Sequence, residues 1–158
     1  MKKLAIECKE YIEKYKGNDT SNISPLKKYR FSEINISEVE LFMLENKDAS
    51  FKDILFMMID RTNQRDSEVY KRARIDRRLF SKIRSIKKYI PSKKTVIALC
   101  LSLELSLQDA NVLLSSAGYT LSKSNDFDLA ILFFINKMIY DFDEINDVLY
   151  ELGFDLFN

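Results

Sequence analysis

Glycine and proline together fill only five positions of the chain: Gly17, Pro25, Pro91, Gly118 and Gly153. That scarcity constrains the fold more than any motif does. Few turns can rest on a left-handed glycine, and few segments are barred from continuing a helix. Apolar residues recur at i, i+3, i+4 and i+7, which is the rhythm of helices packed along one face. The expected fold class is therefore all-α. With 158 residues, 46% of them hydrophobic, one or two small domains with a real core are within reach.

Residues 3–16 place Leu4, Cys8, Tyr11, Ile12 and Tyr15 on one face of a first helix. Residues 17–25, GNDTSNISP, read as a linker closed by Pro25. Ser37 followed by Glu40 has the form of a capping box, opening a short helix to about Asn46. The periodic signal strengthens at Ser50. Helices are expected over 51–63, 66–74, 76–85, 92–104 and 107–117, with Ser50, Asp76, Ser92 and Ser106 as caps and Gly118 as a C-terminal stop. The inward residues of the first three are Phe51, Ile54, Leu55, Met58 and Ile59, then Val69, Tyr70 and Ala73, then Leu79, Phe80 and Ile83. Two further helices follow a polar gap. Asn125 or Asp126 can cap 127–140, and Asp141 or Asp143 can cap 143–152 before Gly153. The division is an N-terminal helical extension (1–49), a five-helix domain (50–120) and a C-terminal helical pair (121–158).

Net charge is only +1, but its distribution is uneven. Residues 1–60 carry net −1, residues 61–94 net +10 and residues 95–158 net −8. A block of thirty-four residues at +10 repels itself unless something negative neutralises it. Nucleic-acid phosphate is one such partner, and the acidic C-terminal third of the same chain is another.

Residues 51–117 resemble the lambda-repressor-like (Cro/C1, XRE-type) helix-turn-helix family, whose DNA-binding domain has five helices. The run VYKRARIDRRLFSKIR, Val69 to Arg84, is similar to that family's helices 2 and 3. Ile75 matches the apolar turn residue, Asp76 the capping serine, Phe80 and Ile83 two inward apolar positions, and Ser81 and Lys82 a serine–lysine pair. YIPSKKTVIALCLSLELSL continues the likeness through Pro91 and Leu103. The chain departs from the pattern at five positions. Tyr70 and Ala73 exchange a small and a bulky residue. Arg74 stands where glycine or asparagine is usual, which argues against a left-handed residue there. Asp66 replaces a phosphate-holding glutamine, and Arg84 replaces a glutamate. The resemblance implies sequence-specific binding of double-stranded DNA by a bacterial or phage transcription regulator, acting as a homodimer on two half-sites.

On helix 76–85, Arg77, Arg78, Ser81, Lys82 and Ser85 share one face opposite Leu79, Phe80 and Ile83. A major groove admits such a helix, and Arg, Lys and Ser can each bond base edges there. Arg77, Arg78, Ser81 and Lys82 are the expected base-contacting residues. Lys71, Arg72, Arg74, Ser85, Lys87, Lys88, Lys93 and Lys94 are the expected phosphate contacts.

Other chemistry finds little footing. The chain has no histidine, no paired cysteine motif and no glycine-rich phosphate loop. No cofactor, metal or enzymatic activity is expected. DFDEIND, 141–147, lacks the glycine of a calcium loop and reads as helix capping. Cys8 and Cys100 sit in apolar-periodic segments, as reduced thiols of a cytoplasmic protein would. No run is long and apolar enough to suggest a membrane span, and Glu7, Lys9, Glu10 and Glu13 interrupt any signal-peptide pattern. LAILFFINKMIY, 129–140, is too broadly apolar for one buried stripe. Either that helix is central, or one face is covered by a second subunit, which would make 127–152 a dimerisation element. A second reading of the whole keeps the fold and makes the chain an adapter whose basic surface docks an acidic protein or RNA in a toxin–antitoxin or phage-defence system. Separately, the N- or C-terminal helices are open to a protein partner.

Overall fold

A computed structural model describes residues 2–16 and 35–158. The linker expected at 17–25 lies outside the described residues. Among those described, the chain forms nine α-helices and no strand. They are α1 (Lys2–Tyr15), α2 (Ile36–Asn46), α3 (Phe51–Thr62), α4 (Asp66–Arg72), α5 (Arg77–Ser85), α6 (Lys93–Ser102), α7 (Leu107–Ser116), α8 (Asp126–Asn136) and α9 (Phe142–Glu151).

Short polar side chains start most of them. Ser50, Asp76, Ser92, Ser106, Asn125 and Asp141 each accept a hydrogen bond from a backbone N–H two or three residues ahead. Each such cap is worth about 1 kcal/mol. The cap of α2 is Asn35, not Ser37. The Asn35 amide oxygen accepts the Ser37 N–H at 2.9 Å, so Ser37 lies inside the first turn and supplies the donor.

The helix ends share a device that the sparse glycines do not announce. α4, α6, α7, α8 and α9 each run into a left-handed residue, then an apolar residue whose N–H bonds the carbonyl five positions back. These bonds are Ile75 to Tyr70 (2.8 Å), Leu105 to Cys100 (3.0 Å), Tyr119 to Leu114 (2.9 Å), Ile139 to Phe134 (2.9 Å) and Phe154 to Leu149 (2.9 Å). Only Gly118 and Gly153 among the left-handed residues are glycines. Arg74, Glu104 and Met138 hold φ of 56°, 52° and 54°. The expectation against a left-handed Arg74 is therefore overturned. The Ile75 bond closes the turn, and the Arg74 guanidinium is held by the Asp143 carboxylate and the Phe157 carbonyl. The same device ends α8 at Asn136, short of the expected 140, because Met138 turns the chain.

One contiguous core joins α1 to the C-terminus. α6 is buried from Val96 to Ser102, and the Ser102 hydroxyl donates to the Val69 carbonyl of α4 at 2.8 Å. α8 is buried without a break from Asp128 to Ile135. Its all-round apolar character is thus satisfied inside the chain, with α1, α7 and α9 packed against it or against one another. α1 contributes Cys8 and Ile12 to this core. Tyr11 stacks edge-on against Phe133 at 5.6 Å and accepts a hydrogen bond from Asn136. The expected inward residues hold their places: Phe51, Leu55, Met58, Ile59, Val69, Ala73, Phe80 and Ile83 are buried, and Ile54, Tyr70 and Leu79 are half-buried. The C-terminal tail folds back. Phe157 is buried beside Phe142 and exchanges two 2.8 Å hydrogen bonds with the Asn146 side chain. No helix among the described residues is long and apolar enough to cross a membrane.

Candidate nucleic-acid interface

α4 and α5 are joined by the tight turn Ala73–Asp76, and α5 is the more sharply two-faced of the pair. Phe80 and Ile83 are buried, and the Phe80 ring meets Phe56 of α3 at 5.9 Å and Tyr70 of α4 at 5.4 Å. Anchoring that side turns the other outward. Arg77, Arg78, Ser81, Lys82 and Ser85 are all exposed. The Ser85 hydroxyl donates to the Ser81 carbonyl one turn back at 2.7 Å, leaving its lone pairs as acceptors.

The cations of 61–94 divide into two groups. Arg72 pairs with Glu104, Arg74 with Asp143, Lys93 with Asp128 at 2.6 Å, and Arg84 with Asp66 at 2.6 Å. Three of those four acids belong to the acidic C-terminal third. That third therefore neutralises part of the basic block, and Arg72, Arg74 and Lys93, expected at phosphates, are placed in ion pairs that tie helices together. Lys94 is half-buried, with its ammonium 5.7 Å from the centre of the Phe157 ring. In contrast, Lys71, Arg77, Arg78, Lys82, Lys87 and Lys88 are exposed and pair with no acid among the described residues.

Of this group Lys71 is on α4, and the other five lie on α5 and the segment that follows it. A groove of about 480 Å³ runs between α5 and the start of α4, lined by Arg65, Asp66, Ser67, Tyr70, Arg77, Ser81 and Arg84. Arg65 and Ser67 are additions that sequence reasoning missed. They precede or open α4, and only the docking of α4 on α5 brings them beside Arg77 and Ser81. Asp66, which stands where the family has a phosphate-holding glutamine, is engaged by Arg84.

The thiols take no part in this surface. Cys8 and Cys100 are fully buried, and burial pushes both up to about 12 from an ordinary 9.0. They are protonated apolar filling at neutral pH. Among the described residues, no group of three or more Cys, Asp or Glu side chains is placed to hold a metal ion. No family model, no curated protein and no solved structure matches the chain.

Proposed function

We propose that this chain is a lambda-repressor-like helix-turn-helix protein that binds duplex DNA in the cytoplasm as a transcription regulator, with α5 in the major groove. The observation that carries the reading is the contrast between paired and unpaired cations. The fold neutralises Arg72, Arg74, Arg84 and Lys93 internally, yet leaves Arg77, Arg78 and Lys82 in a row on one exposed helix face with Ser81 between them. A helix about 10–12 Å across fits a groove about 12 Å wide. Arg77 and Arg78, in the first turn, reach deepest toward base edges, with Ser81 and Lys82 one turn on. Lys71, Lys87 and Lys88 take phosphates on either side. A homodimer on two half-sites about one DNA turn apart completes this reading.

The adapter reading draws support from one observation. Ile86 and Ile90 are exposed beside Lys87 and Lys88, and large apolar side chains among cations suit an acidic, partly apolar protein surface. Selection from a random duplex pool at several salt concentrations separates the two. The DNA reading expects an enriched motif that Arg77→Ala/Arg78→Ala loses, with affinity falling as salt rises, at a log–log slope of about −0.9 per phosphate neutralised. Weak binding without a motif, unchanged in the double variant, would overturn it.

A further inference from the structure

We infer that α2 is a docking element for a second copy of this chain, and that it seats on the basic, apolar surface following α5, formed by Lys82, Ile86, Lys87, Lys88 and Ile90. α2 buries none of its residues. Ile36, Val39, Leu41, Phe42, Met43 and Leu44 are all exposed, between 44% and 76%. An eleven-residue helix is too short to persist in water on propensity alone, so one with six large apolar side chains facing solvent calls for a cover.

Charge selects the cover. α2 carries Glu38, Glu40 and Glu45 and no base. Pairing α2 with α2 of another copy would gather six carboxylates at one interface. Val112 is exposed in a groove between α3 and α7 lined by Asp48, Ser50, Gln108 and Asn111, which offers those acids no cation. Met57 sits where Asp53 and Asp60 offset Lys52 and Arg61, and where Arg84 is already engaged by Asp66. The segment after α5 is different. Ile86 and Ile90 are 50% and 43% exposed, and Lys82, Lys87 and Lys88 beside them have no described acid. Ile36, Val39 and Met43 line one face of α2 at i, i+3 and i+7 with Glu40 beside them, so apolar and acidic groups can meet Ile86, Ile90 and the lysines together.

The occupant is a second copy because the surface that matches α2 in charge and apolar character belongs to this same chain, while α2, joined to α3 by only the four residues Lys47–Ser50, is covered by nothing among the described residues. Reciprocal exchange of two such helices makes a closed, self-complementary pair. It also buries Lys82 and the lysines proposed to hold phosphate. Resting on the DNA-binding reading, this α2-exchanged assembly is masked and DNA competes with it, so that the homodimer on two half-sites forms only on DNA, once α2 has been displaced.

The test is the molar mass of the full chain by light scattering at low salt, over the micromolar range. Glu38→Lys/Glu40→Lys/Glu45→Lys and Lys82→Glu/Lys87→Glu/Lys88→Glu change exposed residues only, so the fold is retained, as circular dichroism can verify. The wild type is expected at twice the one-chain mass, each triple variant at the one-chain mass, and the combined variant at twice again. A wild type of one-chain mass throughout overturns the docking, as does a lysine triple that keeps the doubled mass or a combination that fails to restore it. A second arm tests masking with Phe42→Ser/Met43→Ser, which alters no charge. Where about nine-tenths of the wild type is assembled, this variant should bind duplex DNA about tenfold more tightly. Equal affinity overturns masking. If neither protein binds DNA, the DNA-binding reading falls and masking with it, while the mass measurements still decide the docking.

Discussion

Arg84, in the last turn of α5, holds the Asp66 carboxylate in the first turn of α4 at 2.6 Å while its guanidinium lies 4.1 Å from the centre of the Phe56 ring on α3. Read singly, Asp66 and Arg84 are two departures from the helix-turn-helix pattern. Together they are one clamp across three helices. Both side chains are more than a third exposed, at 35% and 53%. A double-mutant cycle of Asp66→Asn and Arg84→Ala should therefore give a coupling below about 1 kcal/mol. Arg84 is spent on the fold, so under the proposed DNA-binding reading Arg84→Ala should leave the salt slope nearly unchanged, whereas loss of a proposed phosphate contact such as Lys87 should reduce it by about 1. An equal drop in slope for Arg84→Ala would place Arg84 on the phosphate.

Met138→Gly should stabilise the protein. Met138 holds φ 54° to end α8, and its side chain is 77% exposed. A left-handed non-glycine residue costs about 1–2 kcal/mol, and glycine returns part of that as greater freedom in the unfolded chain. A net gain of about 0.5–1 kcal/mol should raise Tm by about 1–4 °C. Arg74→Gly is the informative contrast. It relieves the same strain but removes the links to Asp143 and the Phe157 carbonyl, so its Tm should rise less than that of Met138→Gly or fall. Differential scanning calorimetry of the two variants checks the ordering.

Much of this architecture was legible because the signals were local. Ser50, Asp76, Ser92 and Ser106 are short polar residues before periodic apolar runs, and each caps a helix as that pattern requires. The inward face of α5 followed from the spacing of Phe80 and Ile83 alone. What escaped was set by tertiary neighbours. Nothing local to Arg72, Arg74 or Lys93 distinguishes them from Arg77 or Lys82. The difference is that Glu104, Asp143 and Asp128, 32, 69 and 35 positions away, reach them. The left-handed turns at Arg74, Glu104 and Met138 were hidden for a related reason. Their signature is the apolar residue that follows and packs into the core, not the turn residue itself.

Asp128 is the buried charge on which that division depends most. It is 2% exposed, and one of its oxygens accepts from the Lys93 ammonium at 2.6 Å and the Ser122 N–H at 2.8 Å. Asp128→Ala should cost about 3–5 kcal/mol, because it strands a partly buried ammonium and a backbone donor. Adding Lys93→Met to Asp128→Leu should recover a substantial part, since an apolar pair carries no desolvation penalty. Urea unfolding of the set checks this. A loss of less than about 1 kcal/mol in Asp128→Ala would mean the tie between α6 and α8 is not a structural one.

The two thiols give a pH-dependent test of the core. Burial raises Cys8 and Cys100 from 9.0 to about 12, so between those values the folded protein holds protons that the unfolded chain releases. Stability therefore falls as pH rises from about 9 toward 12, and below 9 the thiols contribute no pH dependence. At pH 8 a thiol-specific reagent should find both cysteines unreactive in the native protein and both reactive in denaturant. Cys8→Ala and Cys100→Ala should each lessen the alkaline loss of stability measured by urea unfolding. Rapid native labelling of Cys8 but not Cys100 would show that α1 leaves α8 far more often than the rest of the core opens.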